Sequence, residues 1–442
     1  MRIRCTKGNF SRAFSCALVL AAAGCGTGPA LRAAERGDLA AVRRTLSSGR
    51  VDADEARSIA RAVLRREVAG ASGDAGIRRL RELPMCAEAL DDALEERAAR
   101  RDAVAATATI LRFEAGLVDH DELAETARAA LAAAGGASSS WRAVAARGLV
   151  TKSDGPERRK LITDPDQDVR LAALRASLAA ADPADVEALL EAARLDPNPA
   201  ARSIAIDAAG NIGGARVVLA LKDLFAQAGE DERMSIVGAW AAPNAFAAGG
   251  HAQLVRTAES GSGPATIAAA AVLMRLSGGG ADSAAAVVAR AIATGSTRER
   301  VFAISAASLE SKAARDAVLA AQKDADDEVA LAALSRSLDL YPAEGDNAKP
   351  AERAQVIAKL MAMAKGSSLR AVLAKATLAR AGAREVLPLL EQDARSGTDQ
   401  ARKAAGTSLV MLGEVARAAW LAADPDVRVR TGVACAMLRS SP

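Results

Sequence analysis

From Trp141 to the end of the chain, apolar and polar positions recur in one pattern. A turn is followed by an apolar residue or Ala, then an Arg or another polar residue, then an Ala-rich stretch. Clear copies are Trp141-Arg142-Ala143-Val144-Ala145-Ala146, Asp166-Gln167-Asp168-Val169-Arg170-Leu171-Ala172-Ala173 and Asp424-Pro425-Asp426-Val427-Arg428. With residues 142, 170, 202, 233, 266, 300, 330, 370, 402 and 428 as anchors, the mean step is about 32 residues. Such a period marks a solenoid, and each step is long enough for two helices and two turns. In the clearest unit the spacing predicts a first helix over 169–180 and a second over 185–194. Val186, Leu189, Leu190 and Ala193 then form one apolar face of the second.

The turns carry their own signals. Asp-Pro pairs at 164–165, 182–183, 196–197 and 424–425 predict Asp as helix N-cap and Pro in the first turn. Gly213-Gly214 and Gly278-Gly279-Gly280 predict turns within helix pairs. The longest step contains a polar insertion, Pro342 to Arg353, expected as an exposed loop. Residues 31–136 lack the pattern, and helices are expected there near 31–47, 54–68, 74–82, 86–99, 101–116 and 120–135.

Composition narrows the fold class to all-α. Of 442 residues 113 are Ala, the best helix former, while aromatics make up only 2%. Half of the chain is hydrophobic, too much for a disordered protein. Scarce aromatics argue against a sugar-stacking cleft or a base-stacking surface.

The repeats resemble HEAT repeats, in particular the short bacterial type known from phycobilisome lyases, on the residues Asp-Pro, Val-Arg, Ala-Ala and Leu over residues 138–442. The resemblance implies an α-solenoid of helix pairs whose second helices line a concave, macromolecule-binding face. On those helices it offers Glu187, Glu191, Arg194, Arg216, Lys222 and Asp223 as partner-binding residues. Lyase chemistry is not implied, because nothing beyond the repeat matches a chromophore-handling site. Ala33 to Leu46 looks like an ankyrin-repeat helix pair, but no Thr-Pro-Leu-His follows. Residues 31–136 are therefore expected as an ankyrin-like region or a helical cap on the array.

The first 24 residues read as an address. Arg2, Arg4, Lys7 and Arg12 precede an apolar stretch, Ala13 to Ala23, too short to span a bilayer. Leu20-Ala21-Ala22-Ala23-Gly24-Cys25 resembles the lipobox of bacterial lipoproteins. That resemblance implies cleavage between Gly24 and Cys25, lipid on Cys25 and a short tether over 25–30. Gly26, where Asp would favour retention at the inner membrane, implies the periplasmic side of an outer membrane.

Loss of the leader leaves 54 basic against 54 acidic residues. No electrostatic case for nucleic acid remains. Of five cysteines only Cys86 and Cys435 stay within the body. At opposite ends of an elongated array they are expected as separate buried thiols, too far apart to bridge.

Candidate chemistry is sparse. His120 stands among Asp119, Asp121 and Glu122, which reads as a charged helix start rather than a metal site. His251 follows two glycines without a partner. The run Asp324 to Glu328 lacks the spacing of a calcium loop and reads as a capped helix start. Trp141, Trp240 and Trp420 fall in expected helices and are read as packing residues. No zinc, phosphate-loop or nucleophile-elbow motif is present in the sequence. The expectation is a non-enzymatic, cofactor-free, lipid-anchored scaffold that binds a protein, with no small-molecule substrate. The alternatives are a lyase-like accessory protein acting on a modified protein, or a purely structural envelope protein.

Overall fold

The computed structural model describes residues 28–440 apart from 49–50, 101, 135–138, 277–280 and 346–348. The expected leader, with Gly24 and Cys25, lies outside the described residues, as does the 278–280 turn. The chain is an all-α solenoid, with no strand among the described residues. It opens with α1 (Pro29–Arg36), α2 (Leu39–Ser48), α3 (Ala53–Ala69), α4 (Gly73–Leu80), α5 (Asp91–Ala98), α6 (Ala103–Glu114), α7 (His120–Ala134) and α8 (Ser139–Arg147). The array continues through α9 (Gly155–Ile162), α10 (Gln167–Ala180), α11 (Val186–Leu195), α12 (Pro199–Ile212), α13 (Ala215–Gln227) and α14 (Glu230–Ala241). After the short α15 (Pro243–Ala245) come α16 (His251–Ser260), α17 (Pro264–Arg275), α18 (Ala281–Thr294), α19 (Thr297–Ala306), α20 (Lys312–Ala321) and α21 (Asp327–Ser337). The last helices are α22 (Pro350–Met363), α23 (Leu369–Arg380), α24 (Leu387–Ser396), α25 (Asp399–Met411), α26 (Val415–Ala418) and α27 (Val427–Arg439).

Two rows of helices form the wall. In one row α8, α10, α12, α14, α17, α19, α21, α23, α25 and α27 pack each directly on the next. In the other row α18 packs closely on α20, whereas α9, α11 and α13 meet only lightly. A curved wall compresses its inner layer and splays its outer one, and the contrast over α8–α14 makes the first row the inner row. Small residues permit the compression. A Cβ added to Gly210 would collide with Ala239, and one added to Gly406 with Val433.

The repeat unit runs outer helix first. α11 packs along α12, which follows it, and barely on α10, which precedes it. The inner helices are therefore those that follow the Asp-Pro turns. This corrects the expectation that 185–194 lies inside.

The turns also differ from expectation in detail. Asp182 does cap its turn, accepting the Ala184 N–H at 3.0 Å with Pro183 in the first position. At the other three pairs the cap is two residues later: Asp166, Asn198 and Asp426. The Asp of the pair instead accepts the N–H of that cap residue: Asp164 from Asp166 at 2.9 Å, Asp196 from Asn198 at 2.8 Å and Asp424 from Asp426 at 2.9 Å. Its other task is to hold the Arg four residues past the previous cap. Arg170 grips Asp196 at 2.7 and 3.2 Å, and Arg402 grips Asp424 at 3.0 Å through both nitrogens. Bidentate pairing of this kind is among the stronger polar contacts. A ladder of Arg–carboxylate rungs thus runs along the array. In this register the last rung belongs to Arg430, not to the anchor Arg428, which is exposed.

The array closes on itself. α27 packs against α3, the Ala419–Ala423 turn against α2, and the Pro84–Cys86 turn against α27. α3 runs antiparallel to α27: Arg430 near the start of α27 meets Glu67 near the end of α3, while Arg57 donates to the Ser440 hydroxyl at 3.4 Å. Val42, Leu64 and Leu90 share one buried cluster with Leu421, Val433 and Met437. Cys86 and Cys435 form a disulfide with Cα atoms 5.1 Å apart. This overturns the expectation of two separate thiols. A wedge-shaped unit repeated along the chain accumulates curvature, and here the curvature brings the two ends together. The N-terminal helices cap both ends, with α7 on α8 and α3 on α27.

Two local differences have simple causes. The helical stretch expected over 31–47 is a pair of helices parted at Gly37, whose φ of 79° is left-handed and accessible to Gly. The insertion loop stops at Lys349, because Pro350 opens α22. Arg353 is helical there, donating to the carbonyls of Tyr341 and Ala381 at 2.5 Å each.

Candidate functional site

The inner helices present one common face. On α10, α12, α23 and α25 the fifth and ninth residues counted from the N-cap are at least partly open to water. They are Leu171 and Arg175 on α10, Ser203 and Asp207 on α12, Leu373 and Thr377 on α23, and Lys403 and Thr407 on α25. On α27 the ninth position is Cys435, buried and bonded to the Pro84–Cys86 turn. The inner surface is thus a mixed polar and apolar wall, covered at the seam.

Three features stand out on it. Leu369 and Leu373, one helical turn apart on α23, are 59% and 51% exposed, with Arg370 and Arg380 exposed on the same helix. Asp207 reaches the inner surface, yet the surrounding wall pushes its carboxyl up to about 6, because burial is not offset by any cation. Between α6, α8 and α10 a cleft of about 210 Å³ is lined by Thr107, Leu111, Arg147, Leu171 and Arg175. Burial holds Arg147 below its ordinary value, and Arg175 adds repulsion. Glu114, at 2.9 Å, works the other way.

The partner-binding residues expected from sequence sit elsewhere. Glu187, Glu191 and Arg194 are exposed on α11, and Arg216, Lys222 and Asp223 on α13. Both helices are in the outer row. Glu187 and Arg216 meet at 2.6 Å, with side chains 66% and 73% exposed. An ion pair so open to water contributes little.

The residues singled out for chemistry are placed as follows. Asp119 caps α7, accepting the N–H of Asp121 at 3.0 Å and of Glu122 at 2.9 Å, and His120 stands edge-on to Phe113. His251 opens α16 and has a partner after all, lying edge-on to Phe246. Asp324 and Asp326 serve the turn before α21, as the capped-start reading expects. Trp240 is buried against Phe225, and the Arg43 guanidinium lies over Trp420. No group of metal-ligating side chains occurs among the described residues.

Comparison with known proteins agrees with the repeat geometry. Residues 155–241 match the family of HEAT repeats. That stretch of HEAT-type units runs from α9 to α14. The crystal structure of an engineered protein is similar at 17% identity, covering 86% of this chain and 99% of its own, with a TM-score of 0.29. The crystal structure of Kap121p bound to Ste12p is similar at 13% identity, covering 88% of this chain and 49% of that one, with a TM-score of 0.24. No curated protein matches the chain.

The ring-closing cysteines were the functional residues that sequence reasoning missed. Their separation of 349 residues hides the contact, and only the even pair of cysteines left in the body hints at it.

Proposed function

We propose that this chain is a lipid-anchored, non-enzymatic scaffold of the cell envelope, whose closed ring of HEAT-type units binds another protein on its inner wall. The observation that carries the envelope reading is the Cys86–Cys435 disulfide. Structural disulfides persist in oxidising compartments, and the first 24 residues have the make-up of an export signal. Lipid on Cys25 would tether the ring through residues 25–30, on the periplasmic side of an outer membrane. Two or three acyl chains at about 0.8 kcal/mol per buried CH₂ hold such a protein durably.

The protein-binding reading rests on the inner wall. Leu369 and Leu373 offer exposed apolar surface flanked by guanidinium groups, a combination suited to an amphipathic partner with acidic residues. The test has two arms. Cys25→Ala should move the protein from the membrane to the soluble fraction and abolish palmitate labelling. Unchanged fractionation would remove the anchor from the account. Residues 26–442 should capture a partner that Leu369→Ser/Leu373→Ser loses. Equal capture by both would move the binding surface elsewhere.

A further inference from the structure

A second cavity lies away from the inner-wall cleft. It lies between α1, α3 and α5 and encloses about 680 Å³. Six arginines line it: Arg57, Arg61, Arg65, Arg66, Arg97 and Arg100. Three acids, Glu35, Asp54 and Glu96, line it too, so cations exceed anions two to one.

Most of the arginines are engaged only in part. Arg57 pairs with Asp54 at 2.8 Å and Arg65 with Asp92 at 2.7 Å, while Arg100 donates to the Ala69 carbonyl at 3.4 Å. Arg61 and Arg66 have no ion pair or hydrogen bond among the described residues. Arg97 is the decisive one. It is only 2% exposed. Its Nε and Nη2 donate to the Ala71 carbonyl at 3.1 Å each, and Nη2 also to Asp102 at 3.0 Å. Its Nη1 is buried with no acceptor. A buried guanidinium donor left without a partner is costly. Here it stands at a cavity ringed by further cations.

We propose that this cavity binds a phosphate-bearing ligand. Planar guanidinium groups match phosphate oxygens in bidentate fashion. Arg61 and Arg66 supply donors that nothing else in the described structure uses, and Arg97 adds its buried charge to the lining. Leu31, Ala62 and Ala93 give the cavity an apolar portion for the rest of the molecule. Two sources share this chemistry. One is a small soluble phosphate ester. The other is the headgroup of an anionic phospholipid, since Leu31 is six residues past Cys25, at most about 20 Å of extended chain. The site itself does not depend on whether Cys25 carries lipid.

The test uses residues 26–442, which contain every described part of the ring. Inorganic phosphate and glycerol 3-phosphate are titrated calorimetrically, and flotation is measured with phosphatidylcholine vesicles with and without phosphatidylglycerol. Arg61→Ala/Arg66→Ala removes donors that hold nothing in the fold, so its melting curve should be unchanged while its affinity falls roughly tenfold or more. Arg97→Lys keeps the charge but loses the planar fork, and should weaken binding as well. Saturable binding of the soluble phosphates, lost in the double variant, supports the site with a soluble ligand. Flotation only with phosphatidylglycerol, lost in the same variant, supports it with a headgroup. No binding of any probe, or equal binding by the double variant, overturns the proposal.

Discussion

Arg430 and Glu67, 363 residues apart in sequence, form a buried ion pair in which Arg430 Nε and Nη2 lie 2.9 and 2.7 Å from one carboxylate oxygen. Arg430 Nη1 donates to the carbonyls of Asp424 and Pro425, as Arg170 Nη1 does to those of Asp164 and Pro165. The seam is therefore one more rung of the ladder, with Glu67 from the end of α3 standing where Asp196 stands for Arg170. Arg79 also reaches Glu67, at 3.0 Å, so Arg430→Met leaves the buried carboxylate with one partner of two and should cost about 2–3 kcal/mol, less than the loss of a sole partner. Arg430→Met/Glu67→Leu should recover part of that loss. Chemical denaturation of the three proteins measures it, and an additive double variant would contradict direct pairing.

The disulfide should matter on the same scale. It links residues 349 apart in a chain of 442, and removing a native disulfide costs about 2–5 kcal/mol. Cys86→Ser/Cys435→Ser should lower the denaturation midpoint accordingly. An unchanged midpoint would mean that the seam holds without the bond.

Internal rungs and surface pairs should separate cleanly. Arg170→Ala leaves Asp196, whose side chain is 3% exposed, without its partner, and should cost about 2–4 kcal/mol. Arg216→Ala breaks a pair open to water and should cost no more than about 0.5 kcal/mol. Thermal melts of both variants check the contrast, and similar losses would remove the ladder from the account of stability.

Stability should respond to pH in two directions. Burial opposes the charge of Asp196, but hydrogen bonds from Arg170 and the Asn198 N–H hold its pKa below the ordinary value. Its contribution is present above about pH 4 and lost as pH falls further. Asp207 behaves oppositely, its pKa being pushed up to about 6 by burial. From about pH 4 to 6 the folded state holds a proton that the unfolded chain has released, so stability declines as pH rises through that window. Asp207→Asn should raise the melting temperature at pH 7 and leave it unchanged at pH 4. The gain should be on the order of 1 kcal/mol at most, since water reaches the carboxylate. Equal effects at both pH values would show that the gain is not electrostatic.

The helical class and the repeat were legible in the sequence because one small apolar position recurs at the repeat spacing and is buried at Ala173, Ala205, Ala333, Ala405 and Val433 alike. Which helix faces inward was not legible. Val186, Leu189 and Leu190 on α11 have as good an apolar face as any inner helix, and periodicity alone does not say which side of a curved wall a helix occupies. Ring closure was hidden for a related reason. Curvature is a sum of small rotations, set by contacts such as Gly210 on Ala239, that no local pattern reports. The arginine cavity was illegible as well. Arg57, Arg61 and Arg65 look like the solvated stripe of any amphipathic helix until α1 and α5 enclose them.

The closed ring is tested most directly by mapping cysteine-containing peptides from the monomeric protein, digested without reduction. The account predicts one peptide pair joining Cys86 to Cys435 within a single chain. Recovery of both residues as free thiols, or a link found only between two chains, would contradict it.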